Sequence, residues 1–336
     1  MKILIVTDAW LPQINGVVTT LRELQAELER QDHEVEFLTP AFFKTLKLPK
    51  YPEIELAYDV WSIPSILRWT TFDAIHIATP EGPIGFFMAM YCRRKKIPFT
   101  TAYHTKMPEY LKLHSKIPTW LTYAFLRFAH NKSEAILVPT KGMVEELKQH
   151  KFKQRLVVWT RGADETIFNP QHRDGSFVKT KILLYAGRVS DEKNLESFLK
   201  LDTPNAIKVV VGDGPARAKL ETKYEAAWVG YLFGKDLAAA MACADVFVFP
   251  SKTDTFGIVM IEAAYCGTPI AAYPVTGPKD FVKEGINGSL DEDLGEAIKK
   301  ALAIDRKGCV EFTKSNFSWK NCAKIFLDTL KPIKAS

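Results

Sequence analysis

Several things are scarce in this sequence, and each scarcity excludes something. Uncharged apolar stretches such as Gly82 to Cys92 fall well below the roughly 20 residues a bilayer-spanning helix needs. No transmembrane helix is therefore expected. The five cysteines form an odd set without paired metal-type spacing, so the chain is read as carrying reduced thiols rather than a disulfide framework. None of the seven histidines stands at ligand spacing from an acid or a cysteine, and no bound metal is expected. The opening residues Met1 to Asp8 enter a strand-like run with neither a charged leader nor a small-residue cleavage site. A cytoplasmic chain is the expectation. Acidic side chains are scarce between residues 91 and 132, where nine Lys and Arg face Glu109 alone.

What the chain does have is length and alternation. At 336 residues it is long enough for about two α/β domains, each with its own core. Strand-like runs alternate with helical patterns from the start, which predicts parallel sheets built from βαβ units. Lys2 to Thr7, a helix over Val17 to Arg30 with Leu21, Leu24 and Leu28 in step, and Glu34 to Thr39 make the first unit. Around Asn169 to Lys181 the pattern lapses into a polar, turn-rich stretch, and the domain boundary is placed there, at 170/171. A second series starts at the strand Lys181 to Ala186. It runs to about residue 317, and a helix over about 318–336 is expected to return to the first domain.

Open α/β sheets bind ligands beyond the carboxyl ends of their strands, so chemistry is sought in the loops that follow them. After the first strand, Asn15-Gly16 turns into a helix, and glycine there lets backbone amides approach an anion. After the strand at Lys181, Gly187 to Leu195 carries Arg188 and Lys193 at either side of a helix start, two cations able to converge on a diphosphate. Gly212-Asp213-Gly214-Pro215 begins like a dinucleotide fingerprint, but Arg217 occupies the third glycine position. The most specific stretch is Pro250 to Ala263, which has Asp254 in a loop and Glu262 about one and a half turns into the next helix. The amides of Phe256, Gly257 and Ile258 lie between them, at the helix start. Such a segment can hold a nucleotide sugar by amides on phosphate and carboxylates on sugar and ribose hydroxyls. It can equally be a capping Asp and a satisfied buried Glu.

In their order and spacing these residues resemble the family-four retaining glycosyltransferases, the group containing mannosyl- and glucosyltransferases acting on lipids and sugars. The resemblance covers almost the whole chain. It rests on Gly16, His104-Thr105, Gly187-Arg188 with Glu192 to Leu195, Gly212 to Pro215 and the Asp254-to-Glu262 step, then on Gly267-Thr268-Pro269, Gly277-Pro278, Gly285 to Gly288 and Phe317-Ser318-Trp319.

The resemblance implies a GT-B fold, two Rossmann-like parallel-sheet domains facing across a cleft. It also implies a UDP- or GDP-linked sugar as donor, no cofactor, and transfer with retention without a metal. Arg188 and Lys193 would clamp the diphosphate, Glu262 the ribose and Asp254 a donor-sugar hydroxyl. Phe256, Gly257 and Ile258 would offer amides, Gly16 would approach the phosphate, and His104 would line the reacting sugar. Asp254 stands where many relatives have Glu, so donor preference does not carry over.

The basic stretch at 91–132 is interleaved with Tyr103, Tyr110, Trp120, Tyr123, Phe125 and Phe128. It suits a peripheral enzyme on an anionic membrane surface, at the inner face, rather than nucleic acid; a solvated helix face over core aromatics is the plainer reading. The expected acceptor is a membrane lipid such as diacylglycerol or a lipid-linked sugar. A soluble sugar or polysaccharide acceptor and a nucleotide-sugar epimerase of the same fold stand as alternatives.

Overall fold

The computed structural model of the chain describes residues 1–13, 15–48, 51–67, 71–104, 107–108, 117–173, 180–254 and 256–333. The chain divides into two compact units, Met1–Thr160 with Trp319–Ser336, and Arg161–Ser318.

The first unit is a six-stranded parallel sheet in the order β2-β1-β5-β6-β7-β8. Its strands are β1 (Lys2–Val6), β2 (Glu34–Leu38), β5 (Ala74–Ile77), β6 (Thr100–Ala102), β7 (Ala135–Val138) and β8 (Arg155–Val158). Ile3, Leu4, Ile5 and Val6 are all buried, as expected of a central parallel strand covered on both faces. An antiparallel hairpin, β3 (Thr45–Leu48) and β4 (Tyr51–Ala57), is inserted after β2. The helices are α1 (Gly16–Arg30), α2 (Ile63–Ile66), α3 (Pro83–Lys95), α4 (Thr119–Ala129) and α5 (Lys141–Gln149). In α1 the side chain of Asn15 accepts from the amides of Val17 and Val18, and Leu21, Leu24 and Leu28 form its buried stripe, a helix built from a cap and one apolar face.

The second unit repeats the plan in the order β11-β10-β9-β12-β13-β14. It comprises β9 (Lys181–Ala186), α6 (Leu195–Leu199), β10 (Ala206–Val211), α7 (Arg217–Glu221), β11 (Ala227–Gly230), α8 (Gly234–Cys243), β12 (Val246–Phe249), α9 (Ile258–Tyr265), β13 (Ile270–Ala272), α10 (Pro278–Phe281), β14 (Gly288–Leu290), α11 (Leu294–Ala301) and α12 (Arg306–Asn316). The chain then returns to the first unit as α13 (Trp319–Thr329), which packs on α1. Trp159, fully buried, anchors it by donating from Nε1 to the Cys322 carbonyl at 3.0 Å and packing its ring 5.7 Å from Phe326.

The division at Thr160/Arg161 corrects the boundary expected at 170/171. Ala163 and Phe168 are buried in the core of the second unit, so the chain has changed cores before the turn-rich stretch begins. Residues 174–179 of that stretch lie outside the described residues. Among the described residues no helix is long and apolar enough to cross a membrane.

Candidate active site

In the second unit β9 and β12 are neighbours, yet the chain leaves β9 toward β10 and β11 and continues from β12 toward β13 and β14. The loops after β9 and β12 therefore diverge, which opens a crevice at the switch point. Three contacts tie them together. The Asn194 side-chain amide donates to the Pro250 carbonyl at 3.1 Å, the Thr253 hydroxyl donates to the Glu192 carbonyl at 3.2 Å, and Lys193 Nζ meets Asp254 Oδ1 at 2.5 Å. Lys193 and Asp254 keep about a quarter of their side-chain surface exposed, 26% and 22%. The charged pair is thus held in place by neutral bonds on both sides while its outer edge stays open.

A second layer supports the β9 loop. The buried Tyr185 hydroxyl donates to the Arg188 carbonyl at 2.7 Å. Burial, with the charges of Asp254 and Glu192 adding to it, holds this phenol well above its ordinary pKa, so it stays a neutral donor. The β10 loop lies against the β9 loop backbone to backbone: Gly187 N–H donates to the Val211 carbonyl at 3.0 Å and Val189 N–H to the Asp213 carbonyl at 2.9 Å. Gly212 is required there, because with φ at +133° a Cβ would stand 1.9 Å from the Gly187 carbonyl oxygen. The Gly212-Asp213-Gly214 motif is thus a buttress. Arg217, at the third glycine position of the fingerprint, is paired with Asp213 at 3.0 Å and Glu221 at 3.2 Å.

From β12 the chain passes Asp254 and enters α9 through Gly257. Its φ is +84°, and a Cβ would meet the Phe249 ring at 2.7 Å. The amides of Phe256, Gly257 and Ile258 open the helix without a hydrogen-bond partner among the described residues. The Phe256 side chain is buried beside Phe317, so only its backbone is available to a ligand. Glu262 is the fifth residue of α9 and 9% exposed. It therefore lies just over one turn into the helix, closer to the open amides than the one and a half turns expected.

In the first unit the switch point lies between β1 and β5, and Asp8 bridges it. Its carboxylate accepts from the amides of Ile84 and Gly85 at 2.9 and 3.0 Å and from the Thr79 hydroxyl at 3.1 Å. Burial nevertheless raises its pKa to about 6. Glu81, in the same β5 loop, is pushed up to about 8, first by burial and also by the charge of Asp8. Gly16 opens α1 with nothing within 4 Å of where a Cβ would stand. His104 follows β6, 8% exposed, with its ring edge-to-face with Trp159 at 6.0 Å. Thr105 lies outside the described residues.

Residues 14–166 match the model of Glycosyltransferase Family 4, and residues 169–315 match that of Glycosyl transferases group 1. The chain belongs to glycosyltransferase family four. The glycosyltransferase is 27% identical over 317 residues to a GDP-mannose-dependent alpha-mannosyltransferase of Corynebacterium glutamicum, covering 86% of this chain and 76% of the relative. It is 26% identical over 347 residues to an alpha-monoglucosyldiacylglycerol synthase of Streptococcus pneumoniae, covering 90% and 78%. Among solved structures, sucrose-phosphate synthase from Thermosynechococcus elongatus superposes with a TM-score of 0.82 at 18% identity over 97% of each chain. The fold is therefore GT-B.

Of the residues singled out from the sequence, Arg188, Lys193, Asp254, Phe256, Gly257, Ile258 and Glu262 gather on the β9 and β12 loops and α9. Gly16 and His104 follow β1 and β6 of the first unit, with β5 between those strands. Sequence reading of the glycosyltransferase missed Asp8, Glu81 and Tyr185. Asp8 and Glu81 follow the carboxyl ends of β1 and β5, and that position was the available signal. The exposed, stacked Tyr231 and Phe233, rings 5.9 Å apart after β11, were also overlooked.

Proposed function

We propose that this glycosyltransferase moves a hexosyl unit from a UDP- or GDP-linked sugar to a membrane lipid such as diacylglycerol or a lipid-linked sugar, with retention of anomeric configuration and no metal or cofactor. The observation that carries the reading is the Lys193–Asp254 pair, cross-braced at the switch point beside the open amides of α9. In the reaction the acceptor oxygen bonds to the anomeric carbon as that carbon's bond to the diphosphate breaks. The electron pair leaves with the nucleoside diphosphate, and the acceptor's proton passes to a phosphate oxygen. Negative charge grows on the diphosphate, where Arg188, Lys193 and the amides of Phe256, Gly257 and Ile258 offset it; preorganised donors of this kind act most strongly in the transition state.

Asp254 then accepts from a hydroxyl of the donor sugar, sharing Lys193 with the phosphate, and Glu262 accepts from the ribose. Tyr231 and Phe233 offer a ring face to the base. Gly16 and His104 keep the roles the family resemblance assigns them, on phosphate and reacting sugar. The lipid acceptor is supported by relatives named for diacylglycerol products in two organisms. The test is to incubate the protein with radiolabelled UDP-glucose or GDP-mannose and diacylglycerol dispersed in detergent. Label in the organic phase, lost in Lys193→Ala, is the expected result. Label released only as free sugar or joined to soluble acceptors would overturn the lipid reading.

A further inference from the structure

Helix α4 does not follow the usual pattern of a helix lying on a sheet. Its inner face, Thr122, Tyr123, Leu126 and Ala129, is buried as expected. Its outer face, where such helices carry charge, is apolar too: Trp120 is 68% exposed, Leu121 49%, Phe125 38% and Phe128 51%. The only charged side chain in the helix, Arg127, donates inward to the His150 carbonyl at 3.0 Å. The patch continues onto α3, where Phe86 lies 5.7 Å ring to ring from both Phe125 and Phe128 and Met90 is exposed.

The edge of this patch is cationic. Arg94, Lys95, Lys96 and Lys132 are exposed, and none has an ion pair among the described residues. Arg93 does something else. It donates to the carbonyls of Phe128, Ala129 and Asn131 and lies over the Phe128 ring, clamping the C-terminal end of α3 to that of α4. The clamp sets Arg94 to Lys96 next to the aromatic face. Arg93 itself is engaged within the fold and is left out of the surface proposed below.

A contiguous apolar face of this kind marks an interaction site. Its cationic rim selects the partner. A second copy of the chain would bring two basic rims together, and like charges disfavour that contact. We infer that the outer face of α4, with the C-terminal end of α3, docks the enzyme on an anionic bilayer, Trp120, Leu121, Phe125 and Phe128 entering the headgroup boundary and Arg94, Lys95 and Lys96 meeting lipid phosphates. This surface deepens the lipid-acceptor reading and rests on it for its purpose.

The experiment is flotation of the full chain with vesicles of phosphatidylglycerol and phosphatidylcholine in equal parts, without donor. Wild type should bind, and less so as salt rises. Trp120→Ser with Leu121→Ser should weaken binding at least about tenfold at both low and high salt. Arg94→Glu, Lys95→Glu and Lys96→Glu together should weaken it on the order of a hundredfold at low salt, and much less at high salt. All these positions are exposed, so melting temperature and donor hydrolysis should not change. Vesicle binding unaltered in both variants, or equal binding to phosphatidylcholine alone, would overturn the inference. So would a dimer in ultracentrifugation that the serine pair abolishes. No vesicle binding together with transfer to detergent-dispersed diacylglycerol would sink the docking surface and leave the acceptor reading standing; binding without any lipid product would do the reverse.

Discussion

Glu81→Gln should flatten the dependence of this protein's stability on pH. Burial, aided by the nearby Asp8 charge, lifts the Glu81 carboxyl from its ordinary 4.5 to about 8. A carboxyl whose pKa is higher in the folded state binds its proton more tightly there. Its contribution is therefore fully present below about pH 4 and is lost as pH rises toward 8. The slope is about 1.4 kcal/mol per pH unit midway between the two pKa values and flattens near each, so the interval from pH 5 to 8 removes roughly 3 kcal/mol. For a unit of this size that corresponds to a fall of about 6–12 °C in melting temperature. Asp8, raised to about 6, adds to the same fall in the lower half of the interval. Glutamine keeps the shape of Glu81 and cannot ionise. Melting curves of both proteins at pH 5 and pH 8 check this: the wild type should lose several degrees more than the variant over that span. Equal losses would show that Glu81 ionises in the folded protein as readily as in water, and the burial argument would fail.

Four further outcomes follow from the site. Glu262→Gln should leave the fold intact and weaken donor binding by about 1–3 kcal/mol, since an amide nitrogen replaces an acceptor oxygen; titration calorimetry with nucleoside diphosphates reads this, and unchanged affinity removes Glu262 from the site. Arg188→Ala and Lys193→Ala should each lower turnover on the order of a hundredfold while moving the melting temperature little, and chelator should leave wild-type turnover unchanged; activity lost with chelator and restored by magnesium contradicts the metal-free reaction. Gly212→Ala should destabilise the second unit by about 2–4 kcal/mol, because its Cβ meets backbone in a conformation L-residues avoid. Gly16→Ala, which has open space, should fold as well as wild type and lose activity; equal activity would take Gly16 out of the phosphate's reach.

Strands buried on both faces and helices with one apolar stripe could be read directly. The strand Lys181–Ala186 has the bounds its apolar run implies, because turn residues close it at both ends. β14 is three residues long, too short for any period, and β3 and β4 form a two-stranded sheet of their own, outside the βαβ rhythm of the chain. The domain boundary was misplaced because Ala163 and Phe168 carry no turn signal when they change cores. Trp120 and Tyr123 belong to one apolar run, yet one is exposed and the other buried; with both faces of α4 apolar, periodicity could not separate them. The loop motifs carried Arg188, Lys193, Asp254 and Glu262 in plain view. That Lys193 bonds Asp254 depends on β9 and β12 being neighbours, which local sequence does not encode.

The most direct measurement is proton and carbon NMR of the organic phase after reaction with a nucleotide sugar labelled with carbon-13 at the anomeric position, in the presence of chelator. The expected spectrum shows the label in a glycolipid, with the anomeric coupling constants of the donor's own configuration. A glycolipid of inverted configuration, or label confined to the aqueous phase for every donor offered, would contradict it.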